Sequence, residues 1–472
     1  MSVELDELIN LVENSMNYSH GKVIVTDPQV LQEKIHRWVE VSTLETGIRQ
    51  GWVRFLVRRV AQELGIHPAS IHDLYMARGR DEISHTFTVP AINLRVLSFD
   101  AARAAFRAAI SMNAASIIFE IARSEIGYTS QRPAEFSTNI LAAAIAENYK
   151  GPVFIQGDHF QISAKRYAVD PDAELNSIKA LILEAINAGF YNIDIDTSTL
   201  VDISISDITE QQKLNVELSA YFSNFIREHQ PEGVIISIGG EIGEVGGRNS
   251  TVEELRAYLN GFNEAINIQR PGSIGLSKIS IQTGTSHGGI VLPDGSIAKV
   301  KVDFDTLCDL SRSSRAEYGL GGTVQHGAST LPEDAFGKFV ESEAIEVHLA
   351  TNFMNMFFEY APDHLRKKMY AYLDKNFASD RKADMTDEQF YYKTRKNAIG
   401  PFKEEIIKLP KEFHEKMRSA WEEKFVVLFK LLGLEGTRHF VDRYIHPVVK
   451  LSRLEDFLGS EYKKEDVGDL AD

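Results

Sequence analysis

A single cysteine, Cys308, stands in 472 residues. It permits no internal disulfide and suits a reducing compartment. Its surroundings, Asp303-Phe-Asp-Thr-Leu-Cys-Asp-Leu, carry an amphipathic helical pattern, so core packing is its expected role. Basic residues are in deficit: 51 Lys and Arg against 67 Asp and Glu give a formal net charge of −16. That balance argues against a nucleic-acid surface, which needs clustered cations, while leaving room for a local basic pocket that holds a small anion. No apolar run reaches the ~18 residues needed to span a membrane. The start, Met1-Ser-Val-Glu-Leu-Asp-Glu, is acidic, unlike the basic start of a secretory signal. The expectation is a cytoplasmic protein with neither nucleic acid nor membrane as partner. Its 43% hydrophobic and 25% charged residues form an ordinary globular composition with ample core.

Three regions follow from the patterning. Residues 1–87 read as a helical extension, with apolar residues at helical spacing around Leu5–Val12, Val30–Val41 and Trp52–Leu64, and Gly65-Ile-His-Pro-Ala-Ser as a stop and fresh N-cap. Ala61 to Met76 has the outline of a helix-turn-helix, but acidic residues intrude; a helical cap or oligomerisation element is the plainer reading. Residues 88–360 alternate. Strand-like runs near 91–96, 116–121, 153–158, 192–196, 234–239, 279–283, 322–326 and 345–349 are separated by helical stretches. Eight β-then-α units in roughly 265 residues fit a (β/α)8 TIM barrel, whose usual size is ~250 residues. Residues 361–472 form a second helical extension, with helices over 363–374 and 413–432, a polar loop over 378–392 and a solvated acidic tail from Asp456. The helical ends are expected to pad the barrel or to join copies in a homo-oligomer.

Four of the strand-like runs end abruptly in a metal-competent side chain: His159, Glu241, His287 and His326. Catalytic groups of such barrels sit at the C-terminal strand ends. Imidazole and carboxylate ligands from separate strands suit Zn2+ or another divalent metal. A lone histidine is more often a hydrogen-bonded core or surface residue; four such ligands at corresponding places in the barrel units are a constellation. Asp194 and Asp196, two apart in the fourth run, point to one face of their strand.

These residues resemble the class II, metal-dependent ketose-bisphosphate aldolases, which include fructose- and tagatose-bisphosphate aldolases. The resemblance runs from about Pro90 to Asn352 and rests on Asp158-His159, Glu241-Ile-Gly-Glu-Val-Gly-Gly247, Gly284-Thr-Ser-His287-Gly and His326-Gly-Ala-Ser-Thr330. It implies a lyase in which His159, His287 and His326 hold zinc, with Glu241 an alternate or outer ligand. Asp158 would be the catalytic acid/base beside the scissile bond, or else would orient His159. Asp196 matches the acid of the family's fourth strand end. Substrate phosphate would meet Gly288, Gly327, Ala328, Ser329 and Thr351. The implied substrate is a small sugar phosphate such as fructose 1,6-bisphosphate, and the implied chemistry is cleavage to dihydroxyacetone phosphate and an aldehyde through a metal-stabilised enediolate, as in glycolysis.

Two departures bear on the substrate half of the site. The family's eighth strand reads Asn-x-Asn-Thr-Asp, where this chain has His348-Leu-Ala-Thr351-Asn352. After Gly246-Gly247 the family has acids, where this chain has Arg248, a cation able to grip a phosphate or a carboxylate. His348 reads either as a further basic group at the site or as a packing variant. Metal-stabilised enediolates also serve epimerases and aldolases of unphosphorylated sugars or sugar acids, which is the second reading. A non-catalytic aldolase-like subunit is the third; converging histidines count against it.

Overall fold

The computed structural model describes residues 3–243, 248–284, 292, 302–328, 331–458 and 469–470. Eight strands alternate with helices: β1 (Val89–Asn93), β2 (Ile118–Ala122), β3 (Gly151–Gln161), β4 (Asn192–Asp196), β5 (Ser237–Glu241), β6 (Lys278–Ile281), β7 (Thr323–Gln325) and β8 (Glu346–Leu349). Each pairs in parallel with its neighbours, and β8 returns to β1, so the sheet closes on itself. This is the (β/α)8 barrel that the alternation predicts.

The surrounding helices carry their own start and stop signals. Pro171–Ala188 opens on Asp170, whose carboxylate accepts from the Ala173 amide, has proline in its first turn, and closes on Gly189 at φ 91°. Val252–Gln269 opens on a reciprocal pair in which Thr251 and Glu254 each accept from the other's backbone N–H. Their apolar stripes bury against the barrel, with Leu255, Leu259, Phe262 and Ile266 facing inward from the second of them.

The N-terminal region is less uniformly helical than its periodicity predicts. Met16–Ser19 and Lys22–Val25 form an antiparallel hairpin. His20 and Gly21, at φ 51° and 76°, make the tight turn between them. Ile66–Ala69 is a ninth parallel strand, laid beside Gly151–Phe154 of β3. Gly65, at φ 75°, ends the helix Ile48–Glu63 and releases the chain into that strand. Pro68 is tolerated because the strand lies at an edge.

In the C-terminal region, helices Asp363–Asn376 and Lys411–Leu431 stand where expected. The segment read as a polar loop contains a further helix, Asp387–Thr394, capped by Thr386 and Gln389. Burial of Phe390 and the stacking of Tyr391 on Tyr370, 4.1 Å between ring centres, supply what its charge-rich sequence hides. The tail is not wholly solvated: Asp469 takes Arg166 Nη2 at 2.6 Å and the Ser163 hydroxyl.

Candidate active site

In a regular strand, consecutive side chains point to opposite faces. Asp158 and His159 escape that rule. On β3, Gly157 pairs with Ile193 of β4 and Phe160 with Ile195, so one extra residue bulges out between them. His159 sits there at φ 39°, in the left-handed region that a residue with a Cβ rarely enters. The bulge turns His159 inward beside Asp158. Gly157 is required by the same device, because a Cβ there would stand 2.4 Å from the Phe160 ring.

Around His159 the strand ends converge. Its Nδ1 lies 3.0 Å from Asp196 Oδ2 on β4 and 3.3 Å from Glu241 Oε2 on β5. Its Nε2 lies 3.0 Å from Nδ1 of His326, which follows β7. His326 Nε2 in turn meets the Ser280 hydroxyl at 3.1 Å. The rings of His159, His326 and His348 form a row, with centres 4.3 and 4.1 Å apart. All of these groups are buried.

Asp158 is held from two sides. Its Oδ2 accepts from Asn93 Nδ2 at 2.9 Å, and the same Nδ2 reaches Glu125 Oε2 at 3.0 Å. Glu125 also accepts from Arg95 Nε and the Ala122 amide, which leaves Asn93 one orientation. On the other side, His348 Nδ1 is 3.2 Å from Asp158 Oδ1 and 3.1 Å from Glu120 Oε1. Neither contact is aligned for a hydrogen bond, so all three atoms are buried without a hydrogen-bond partner among the described residues.

Beneath this layer the barrel is filled by charge rather than by aliphatic side chains. Lys278 Nζ donates to Gln156 Oε1 at 2.8 Å, pairs with Asp194 Oδ2 at 2.9 Å and bonds Glu346. Glu346 also takes Tyr75 Oη–H and meets His348 Nε2 at 2.6 Å. Burial would drive Lys278 to lose its proton, but Asp194 and Glu346 outweigh it and raise its pKa. Glu346 titrates at about 2: burial opposes ionisation, and Lys278 and His348 overcome it.

The upper carboxylates are pulled apart by their surroundings. Burial and then the Asp196 carboxylate push Glu241 up to about 7. Burial and the Asp158 charge raise Glu120 well above the usual range. Asp158 goes the other way: burial resists, but the His159 and His348 imidazoles hold it well below. His159 and His348 are raised well above 6.5, against burial, by the carboxylates that ring them.

The donor set fits a divalent cation. With Asp196 on its Nδ1 side, His159 would offer Nε2 to a cation in place of that atom's proton, the arrangement by which carboxylates orient ligating imidazoles. Three groups bring donor atoms within 4.8 Å of one another: His159, Glu241 and His326; Asp158, His326 and His348; Glu120, Glu346 and His348. The orphaned oxygens of Asp158 and Glu120 are what a cation or a substrate hydroxyl would satisfy.

Of the residues singled out from sequence, Asp158, His159, Asp196, Glu241, His326 and His348 come together. Asp194 shares the inward face of β4 with Asp196, as its spacing predicts. Ala328 is buried, and Thr351 is buried at the start of the helix Thr351–Tyr360. Gly327 turns the chain after His326 at φ 69°. Arg248 stands apart: its side chain is 60% exposed and pairs with Glu254. His287, Gly288 and Ser329 lie outside the described residues. Sequence reasoning passed over Asn93, Glu120, Glu125, Lys278 and Glu346. The available signal was a charged or amide residue inside a short apolar run, as in Ile118-Phe-Glu-Ile-Ala122.

Comparison with known proteins bears on the reaction class. Solved structures that match include the YdjI aldolase from Escherichia coli K12, at 14% identity over 78% of this chain and 99% of that one, with TM-score 0.44. A probable tagatose 6 phosphate kinase from Sinorhizobium meliloti 1021 matches at 15% identity over 76% and 99%, with TM-score 0.51. The fructose-bisphosphate aldolase from Campylobacter jejuni matches at 15% over 76% and 93%, with TM-score 0.44. At 15% identity and TM-score 0.51, the Sinorhizobium likeness is one of fold alone. No curated protein sequence matches. The family model described as fructose-bisphosphate aldolase class-II matches residues 81–424, which spans every barrel strand. The chain belongs to the class II fructose-bisphosphate aldolase family.

Proposed function

We propose that this protein is a metal-dependent aldolase that cleaves or forms a ketose bisphosphate of the fructose 1,6-bisphosphate type, giving dihydroxyacetone phosphate and an aldehyde. The observation that carries the reading is the convergence of His159, Glu241 and His326 from three strands beside the ionised Asp158. In this reading His159, His287 and His326 hold a divalent cation such as Zn2+, with Glu241 as a further or alternate ligand. The cation would supply a Lewis acid that stabilises the negative charge developing on the ketose oxygens as the C–C bond breaks.

The chain's own groups would do the rest. Asp158 takes the proton of the hydroxyl beside the scissile bond. It suits that role because His159 and His348 keep it ionised despite burial. Asn93, locked by Glu125, aims its Oδ2. His348 pairs with the free edge of Asp158 and balances its charge. By the family resemblance, Gly327, Ala328 and Thr351, with Gly288 and Ser329, would receive phosphate. Arg248, turned toward Glu254, lends no support to the sugar-acid reading. An imine route through Lys278 is disfavoured, since that amine is wholly buried below the histidines and is kept protonated by two carboxylates.

We further propose that the enzyme works in the cytoplasm as a homo-oligomer; no helix among the described residues is long and apolar enough to cross a membrane. The test is metal analysis paired with a cleavage assay on fructose 1,6-bisphosphate, before and after a chelator. One equivalent of zinc with chelator-sensitive release of triose phosphate is the expected result. Metal without cleavage would move the substrate to another sugar, and a protein that binds no metal would overturn the mechanism.

A further inference from the structure

A cavity of about 720 Å³ lies beside the loop that follows β1, and none of Asp158, His159, Glu241, His326 and His348 lines it. Its walls come from the N-terminal helices Pro28–Lys34 and His36–Leu44, the loop after β1, the barrel helices Ser98–Ser111 and Pro133–Ala146, and the C-terminal helices Lys403–Ile407 and Lys411–Leu431. Its size is that of a small-molecule site. In a chain with a formal charge of −16, its lining carries eight Lys and Arg against five Asp and Glu.

The cations there are held in place but not exhausted. Arg103 gives only Nε to Glu147, and its Nη atoms have no acceptor among the described residues. Arg418 gives Nη1 to Asp100, and its Nη2 likewise has none. The two guanidinium groups are near enough to repel: burial first, and then Arg418 and Arg107, work against the charge on Arg103, with Glu147 opposing them. Arg103 also acts on His36 across the cavity. Such mutual repulsion is relieved by an anion between the groups.

A second observation points to the rest of the ligand. Asn139, only 4% exposed, donates its amide to the Ser98 hydroxyl at 3.0 Å, while its Oδ1 has no hydrogen-bond partner among the described residues. The Thr43 hydroxyl on the same lining is also buried without one. An orphaned buried acceptor is costly and calls for a donor. We propose that this cavity is a second ligand site, for a small hydroxylated phosphate monoester: the phosphate would lie between Arg103 and Arg418, with a ligand hydroxyl on Asn139 Oδ1. The inner wall of the cavity includes Arg95, which bonds Glu125, which bonds Asn93, which bonds Asp158. The site is thus joined to Asp158 by a chain of hydrogen bonds, while Asp158 itself is not in its lining.

The experiment is isothermal titration of the full-length, chelator-treated protein with ribose 5-phosphate, so that neither metal nor turnover enters the readout. Arg103→Gln leaves Glu147 paired with Arg107 and should weaken binding by about ten-fold or more, the cost of losing a charged hydrogen-bond partner. Asn139→Leu should weaken it as well, and Thr43→Val serves as a milder variant if Asn139→Leu unfolds. His326→Ala, at the candidate metal centre, should leave the binding unchanged. Failure of the aldolase reading would appear as absent cleavage with this pattern intact. No heat at millimolar ligand, or binding that survives Arg103→Gln and Thr43→Val but is lost in His326→Ala, would overturn the second site.

Discussion

Asp158 and His159 are neighbours in the chain, yet both face the barrel interior, because the bulge between Gly157 and Phe160 adds a residue to β3 and holds His159 at φ 39°. Backbone strain of this kind costs on the order of 1–3 kcal/mol and persists where the surroundings over-determine it. Here Asp196, Glu241 and His326 clasp the imidazole from three other strands. A regular strand would bring either Asp158 or His159 to the site, not both.

The bulge can be tested at its hinge. Gly157→Ala would place a methyl group 2.4 Å from the Phe160 ring, which is itself buried. Overpacking of this sort costs about 1–3 kcal/mol. Denaturant unfolding should show a loss of that size, together with reduced metal content after dialysis. Wild-type stability with full activity would mean that the ring swings aside and the bulge is not dictated by Gly157.

Asp158→Asn should keep the hydrogen bond to Asn93 by rotating its amide while removing the proton acceptor. Cleavage should slow by about 10²- to 10⁴-fold, the range for a lost general acid or base, with metal content unchanged. Loss of metal in this variant would instead make Asp158 a ligand.

His326→Ala should abolish tight metal binding, since His326 belongs to two of the three donor clusters. In the native protein, excess metal at about 100 times its dissociation constant should add about 2.7 kcal/mol of stability, read as a rise in Tm that chelator reverses and that the variant lacks.

Lys278→Met should be severely destabilising. It would strand Asp194 and Glu346 in the barrel interior, and breaking a buried pair from one side costs about 3–5 kcal/mol. Chemical denaturation of Lys278→Met, and of the same change combined with Glu346→Gln, should show the double variant recovering part of the loss.

The docking of the C-terminal helix on the barrel should depend on pH. Asp100, on the helix Ser98–Ser111, accepts from His414 Nδ1 at 2.8 Å and from Arg418, both on Lys411–Leu431. Burial resists ionisation of Asp100, but His414 and Arg418 hold its pKa down. Burial works against the His414 cation, and Asp100 raises its pKa nonetheless. The His414 contribution is therefore complete below about pH 6.5 and lost as pH rises through the raised folded value; the Asp100 contribution is complete above about 3.9 and lost as pH falls through the depressed one. Thermal melts should show the native protein losing more Tm between pH 6 and 9 than His414→Gln does. Parallel curves would show that the pair contributes nothing.

Much of this was legible in the chain. Short apolar runs alternating with amphipathic stretches determine a barrel, because the periods of strand and helix are local properties. His159, Glu241 and His326 were visible because each ends such a run, and a strand's end is where its polar side chains emerge. The hairpin at His20-Gly21 and the helix Asp387–Thr394 were obscured, since one depends on two residues entering the left-handed region and the other on burying Phe390 and stacking Tyr391 against distant side chains.

What only the tertiary structure decided is the company each charge keeps. Glu120, Lys278 and Glu346 look like misplaced charges in their own strands. Lys278 and Glu346 become a buried pair, and Glu120 a neighbour of Gln156 and His348, when closure of the barrel brings together residues far apart in the chain. The bulge in β3, which Gly157 permits, is fixed in place only by its pairing with β4. The cavity between the two helical extensions exists only because both pack against the barrel helices Ser98–Ser111 and Pro133–Ala146. Local pattern determines the face a side chain takes; register, closure and the partner of a buried charge are non-local, and only the folded chain supplies them.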